Sequence, residues 1–498
     1  MKAHPRAIVL VVAIAVAATG CTSSSGDDDL TTKETTTTTT AEPRTPKVTP
    51  ATLEGPITVG QLSGPADPRA VDLDAIGYVQ DEFFASGTAT AFTGDVDPSR
   101  DGRWHARPAG TAPYKTRFIV RRPKDPARFN GTVVVEWLNV TVVEAAPDWA
   151  YAGPAIVDDG AAWVGVSAQA LTIEGGTSAL QTDDSRQAQA SGGLKRTNPE
   201  RYGSLAHPGD AYAMDIYSRI GAALRSPGAV PVFGDGAQAP VRHVIAAGES
   251  QSASFLTGYI NAIQPLADVY DGFFVHSRGS GASLVDGTRA VRGSATPYHF
   301  RTDIDAPVLA FETETDVGPL LRYGLARQDD TDALRVWEVP GTAHADAFLV
   351  GGQFTACPYP VNSGPQHWVA TAALAALLRW VEHGDPPAHG PDIETTGDGT
   401  TITRDARGNA LGGIRTPSIA APVATLSGEG EPGAPVLCAL FGKTTPFDTA
   451  TLKALYPTRD DYLKAFDGAL DAVVAAGFVR RADRAAYAAE ARAFDFPA

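Results

Sequence analysis

Val241-Arg242-His243-Val244-Ile245-Ala246-Ala247-Gly248-Glu249-Ser250-Gln251-Ser252-Ala253 is the stretch that decides the fold of this chain. An apolar, strand-like run stops at a glycine, a serine follows two residues later, and a helix-patterned segment begins at once. This is the layout of a strand-to-helix turn so sharp that the serine at its apex is strained and its hydroxyl stands above the sheet. Such a turn presses together the residues two before and two after the serine, so both must be small. Gly248 meets that demand outright, and Ser252 stands where glycine is usual.

Three other serines share the local spelling and fail the context. Ser178 and Ser283 lie in Gly/Ser-rich stretches with no strand before them. Ser167 follows a strand-like run, Trp163 to Val166, but no capped helix comes after it. Only Ser250 has both flanks.

Outward from this turn, strand-like and helix-like runs alternate, the pattern of a mostly parallel sheet covered by helices, an α/β fold. The expected strands are Arg117 to Arg121, Thr132 to Trp137, Trp163 to Val166, His243 to Ala247, Gly272 to His276, Pro307 to Phe311 and Leu334 to Val339. Several are continuous apolar runs, as befits strands buried on both faces. Helical patterns span Ala211 to Leu224, Gln251 to Ile263 and Val369 to Glu382.

Two polar, Gly-rich stretches interrupt the rhythm, at about 168–210 and 278–305, and read as walls or a cap over the site. Together these segments make a core over 57–390. Residues 391–498 form a C-terminal extension that is first turn-rich and then helical, packed on the core.

The N-terminus has the character of an export signal over 1–20: Lys2 and Arg6, an apolar run from Ile8 to Ala17, then Ala18-Thr19-Gly20-Cys21. That tetrapeptide is similar to a bacterial lipobox, which would make Cys21 the lipidated first residue of an extracytoplasmic protein. The Ser/Thr-rich segment over 21–56 reads as a disordered tether. The formal charge of −16 argues against nucleic acid and against a basic membrane-binding patch, leaving the N-terminal lipid as the expected membrane contact. With Cys21 set aside, Cys357 and Cys438 are the remaining cysteines, and in an exported chain they are expected to form a disulfide. No zinc-type Cys-x-x-Cys or His-x-x-x-His spacing occurs, so no metal and no cofactor are invoked.

A serine hydroxyl is a poor nucleophile until a base takes its proton, and the base needs a partner to fix its tautomer. Downstream of Ser250, one strand runs into Glu312-Thr313-Glu314-Thr315-Asp316, and the next into Pro340-Gly341-Thr342-Ala343-His344-Ala345. Among ten histidines, His344 is the one on a loop after the last core strand, flanked by small residues. His276 and His299 are placed to line a pocket. Asp316 is the favoured acid, with Glu314 the alternative and Glu312 a closer rival to the strand. An oxyanion needs two backbone N–H donors. Gln251, directly after the serine, is one, and Asn139 or Val140, after the strand ending at Trp137, is the other.

With these residues in view, the chain resembles the α/β-hydrolase superfamily, and within it a subgroup of large α/β-hydrolase-domain proteins. The likeness rests on Val134-Val135-Glu136-Trp137-Leu138-Asn139, Arg201 to Leu205, His207-Pro208-Gly209-Asp210, the Gly248 to Ala253 turn, Gly412 to Pro417 and Pro422 to Thr425. It implies an α/β-hydrolase fold and a hydrolase. The substrate is outside what a fold can supply. The leading expectation is a serine hydrolase acting on a small-molecule ester. A catalytically silent envelope lipoprotein that binds a ligand or partner is the alternative, and amide cleavage or acyl transfer by the same residues stays open.

Overall fold

Parallel strands buried on both faces need a helix layer on each side, and this chain supplies both. In order along the chain the strands are β1 (Thr52–Glu54), β2 (Tyr78–Thr93), β3 (Arg107–Pro123), β4 (Thr132–Trp137), β5 (Ala162–Val166), β6 (His243–Glu249), β7 (Gly272–His276), β8 (Val308–Thr313) and β9 (Leu334–Val339). They form a sheet of order β1-β2-β3-β5-β4-β6-β7-β8-β9. The six strands from β5 to β9 are mutually parallel, whereas β1, β2 and β3 join antiparallel. The computed structural model describes residues 44–66, 69–180, 191–234, 240–288, 296–352 and 356–497. The export signal, Cys21 and the tether up to residue 43 lie outside the described residues.

Alternation along the strands divides the core. Val133, Val135 and Trp137 face α2 (Ala213–Arg225) and α3 (Gln251–Gly258), with the Trp137 ring 4.8 Å from Phe255 and 5.0 Å from Tyr217. Val134, Phe274 and Phe311 face the opposite layer, α1 (Pro147–Asp159) and α4 (Gln366–His383). Register then sets the site. Glu249 lies beside His276, His276 beside Phe311, and Thr313 beside Val339, so the strands from β6 to β9 end at one level.

The chain departs from its sequence reading at the edge. β2 and most of β3 form a long antiparallel hairpin where only Arg117 to Arg121 was expected. Ala85-Ser86-Gly87-Thr88-Ala89-Thr90 is mostly small residues with no aromatic and is held by cross-strand pairing, with Ala85 and Ala89 buried. The boundary at residue 56 also sits too late. Thr52–Glu54 pairs with β2, and Arg44 forms ion pairs with Asp268, Asp271 and Asp305.

The first insertion carries short helices at Ala170–Glu174, Gly193–Thr197 and Pro199–Tyr202. It leans on the loop after β4 through Leu180 N–H to the Thr141 carbonyl and Ser178 Oγ to the Val142 carbonyl. The extension packs on the core. Its helices α5 (Thr449–Leu455), α6 (Arg459–Ala475) and α7 (Arg484–Ala493) share the apolar core on the side of α4, and α7 touches α4 through the Tyr487 ring, 5.4 Å from Trp368. Cys357 and Cys438 are joined in a disulfide, Cα atoms 5.6 Å apart. Among the described residues no helix is long and apolar enough to cross a membrane.

Candidate active site

The turn between β6 and α3 has the strain that its sequence implies. Ser250 has φ 59° and ψ −112°, a left-handed conformation that a side chain rarely adopts. Its N–H donates to the His276 carbonyl at 2.9 Å, anchoring the turn on β7. A Cβ on Gly248 would lie 3.0 Å from the Ser252 Cβ and 3.1 Å from Leu256 Cδ1, so only glycine sits there without a shift. Ser252 is fully buried, the small residue that the close approach demands.

His344 bridges the serine and an acid. Its Nε2 is 2.7 Å from Ser250 Oγ, and its Nδ1 is 2.7 Å from Asp316 Oδ1. The loop is held on both sides of the ring, by His344 N–H to Thr315 Oγ1 at 3.2 Å and Ala345 N–H to the Leu440 carbonyl at 3.1 Å. Asp316 is fixed by its own neighbours. Thr313 caps the one-turn helix Glu314–Val317, and the other Asp316 oxygen, Oδ2, accepts from Thr313 N–H at 2.7 Å and Thr313 Oγ1 at 2.6 Å. One oxygen is spent on the cap and the other is left for the imidazole.

The rival acids have other partners. Glu314 accepts from Gly341 N–H at 2.8 Å and Gly428 N–H at 3.0 Å and pairs with Arg404 at 2.8 Å, tying the extension to the loop before His344. Glu312 is fully buried and its carboxyl oxygens have no hydrogen-bond partner among the described residues. Burial and the nearby Asp316 push its pKa well up. His276 lies under the turn, Nδ1 2.8 Å from Asp148 Oδ1 and Nε2 3.0 Å from Gln366 Nε2, and burial lowers its pKa to about 4.

The oxyanion reading needs a correction at Asn139. Its backbone N–H is taken by the Ala145 carbonyl at 3.0 Å, so it has none to offer an oxyanion. Its side-chain Nδ2 donates to the Glu249 carbonyl at 3.1 Å and to Glu249 Oε2 at 2.9 Å. The next N–H, on Val140, makes no hydrogen bond among the described residues. Thr141 Oγ1 reaches the Gln251 side chain at 3.4 Å, which holds this loop beside the first turn of α3, where the Gln251 N–H has no helical acceptor.

Sequence reasoning passed over Glu249 itself. It is buried, with Oε1 3.5 Å from His344 Nε2. Burial pushes its pKa up to about 7, against the opposing pull of His344 and His276. The signal was present, a carboxylate locked between the two fixed residues of the turn, but its partners come from distant loops. Beside the loop after β4 lies a cavity of about 720 Å³ whose walls include Leu62, Val140, Val142, Leu171 and Leu194. Ser250 is not among its lining residues; Val140 is the wall it shares with the site. No group of three or more metal-binding side chains occurs among the described residues.

A family model described as an alpha/beta hydrolase domain matches residues 53–489. No curated protein matches the chain. Among solved structures, the chain is similar to an α/β serine hydrolase without lid from Xanthomonas campestris, at 13% identity over 59% of this chain and 94% of that one, TM-score 0.30. It is similar also to a fungal esterase from Rhizomucor miehei, at 10% identity over 64% of this chain and 93% of that one, TM-score 0.31. An S-formylglutathione hydrolase from Agrobacterium tumefaciens shares 10% identity over 66% of this chain and 98% of that one, TM-score 0.28. With a match that spans most of its length, on a parallel sheet that ends in a strained serine turn, the chain belongs to the alpha/beta hydrolase domain family.

Proposed function

We propose that this protein is a serine hydrolase that cleaves carboxylic esters of small molecules through an acyl-enzyme. The observation that carries the reading is the continuous line from Ser250 Oγ through both nitrogens of His344 to Asp316, each link 2.7 Å. Ser250 attacks the ester carbonyl while His344 Nε2 takes its proton, and Asp316 holds the tautomer and stabilises the imidazolium. The developing oxyanion meets the N–H groups of Gln251 and Val140. His344 returns the proton to the departing alcohol, and water then releases the acyl group by the same route.

Export belongs to the same reading. Cys21 is the expected lipidated residue, placing the enzyme outside the cytoplasmic membrane on an N-terminal anchor. Partitioning of the mature chain into an aqueous rather than a detergent phase would count against it.

The decisive experiment is Ser250→Ala. Fluorophosphonate labelling and ester turnover are expected to vanish, while thermal stability barely changes because the substitution removes one hydroxyl from a strained turn. Wild-type turnover by the variant on an ester that the parent cleaves would overturn the proposal.

A further inference from the structure

We propose that Glu249 is a positioning residue for this reaction, a second carboxylate partner that holds the imidazolium of His344 from the Nε2 side once Ser250 has given up its proton. The inference rests on the serine-hydrolase reading above. Its geometry is that of a ring held between two carboxylates. Asp316 Oδ1 is 2.7 Å from Nδ1, and Glu249 Oε1 is 3.5 Å from Nε2. Asn139 Nδ2 grips both Glu249 Oε2 and the Glu249 carbonyl, which leaves Oε1 on the side of the ring. Glu249 and His344 are buried, so little solvent screens the charge between them.

The proton path balances without a further reagent. In the resting site His344 donates from Nδ1 to Asp316 and accepts the Ser250 hydroxyl at Nε2. Attack forms the Oγ–carbon bond and moves the hydroxyl proton to Nε2, so the ring becomes positive with its new N–H beside Glu249 Oε1. An ionised Glu249 stabilises that state, and a protonated one does not. The proton then leaves with the alcohol, and Glu249 keeps its charge throughout.

Which form Glu249 takes is set by everything packed around it. His276 from β7 and His344 from the loop after β9 favour the carboxylate, whereas Asp148 from α1 and Asp316 from the turn after β8 oppose it. Tyr151 of α1 also lies within electrostatic reach, and Asn139 contributes a neutral donor. Burial is the largest influence and sets the ionisation at about 7. The free enzyme is competent with Glu249 ionised and His344 neutral, so its acid limb depends on both.

The test compares wild type with Glu249→Gln, which keeps the size of the side chain and an acceptor for Asn139. Hydrolysis of p-nitrophenyl acetate and fluorophosphonate labelling of Ser250 are followed from about pH 5 to about pH 9. The variant is expected to lose about tenfold in kcat with KM within about twofold, and its acid limb of kcat/KM to fall with one proton where the wild-type limb falls with two. Glu249→Asp, which keeps the charge, should retain the steeper limb. An unchanged kcat and an unchanged acid limb in a Glu249→Gln variant that still labels at Ser250 would overturn the inference. A wild type that does not label at Ser250 would instead sink the serine-hydrolase reading itself.

Discussion

Two buried polar clusters sit at the same end of this sheet, and they solve the problem of burying charge in opposite ways. On the β2–β3 side, Arg117 and Arg201 face Glu82 and Glu144. Arg117 is 2.9 Å from Glu82, Arg201 is 2.5 Å from the other Glu82 oxygen, and Arg117 also pairs with Glu144. The remaining donors are occupied as well: Arg117 reaches Ser167 Oγ at 3.1 Å, and Arg201 reaches the backbone carbonyls of Ile57, Val59 and Gly60. Two cations meet two anions. Under the serine turn, Glu136, Asp148 and Glu249 are equally buried, yet among the described residues none of the three is paired with a lysine or arginine. Burial pushes all three upward in pKa. A cluster with cations keeps its charges and braces the fold, whereas one without them holds protons near neutrality and is able to trade them.

The sharpest way to break the comparison is to remove charge at each place, from the acid that holds His344 beside the serine turn and from the arginine cluster, and ask whether turnover or stability responds. Asp316→Asn keeps an oxygen for the Thr313 cap but presents an amide to His344 Nδ1, forcing the wrong tautomer. Turnover is expected to fall about 10⁴-fold, equivalent to about 5.5 kcal/mol in the barrier, with little change in the unfolding midpoint. Near-normal turnover would remove Asp316 from the mechanism.

Arg117→Met attacks the other cluster and should reverse the pattern. Among the described residues it leaves Glu82 with Arg201 as its one cation and Glu144 with none, a loss of about 3–5 kcal/mol in denaturant unfolding. Activity per folded molecule should be retained. A loss below about 1 kcal/mol would mean that the cluster is not bracing the hairpin.

What was legible in the sequence follows the reach of each signal. Ser250, Asp316 and His344 were named because each sits at or just beyond a strand end: Ser250 between the small residues Gly248 and Ser252, Asp316 a few residues past its strand, and His344 between Ala343 and Ala345. The structure brings these three together. The work of Asn139, Glu249 and Glu314 was not legible, because it depends on partners far along the chain, 110 residues from Asn139 to Glu249 and 114 from Glu314 to Gly428, and no local pattern encodes such a meeting. The same holds for the β2–β3 hairpin, whose small residues carry little propensity and depend on register with a partner strand. The α/β architecture survived those gaps because apolar runs buried on both faces are local signals in themselves.

The smallest expected effect tests whether a carboxylate buried beside the site holds a proton. Asp346 is fully buried; it accepts from Tyr151 Oη at 2.9 Å and Leu349 N–H at 3.0 Å, and its other oxygen has no hydrogen-bond partner among the described residues. Burial raises its pKa to about 7, opposed by the hydrogen bonds it accepts and by the charge of Arg69. A raised folded pKa means that the native state holds a proton which the unfolded chain has already released. The stability this gives is complete below about pH 4 and is lost as pH rises through about 7. Asp346→Asn removes the titration. It should therefore unfold at a higher denaturant concentration than wild type at about pH 8, by about 1–2 kcal/mol, with the gap closing below about pH 5. The gain is held to that size because the new amide group has no acceptor where the second oxygen stood. A variant no more stable than wild type at alkaline pH, or a difference that does not vary with pH, would show that burial does not raise the ionisation of Asp346 in the folded protein.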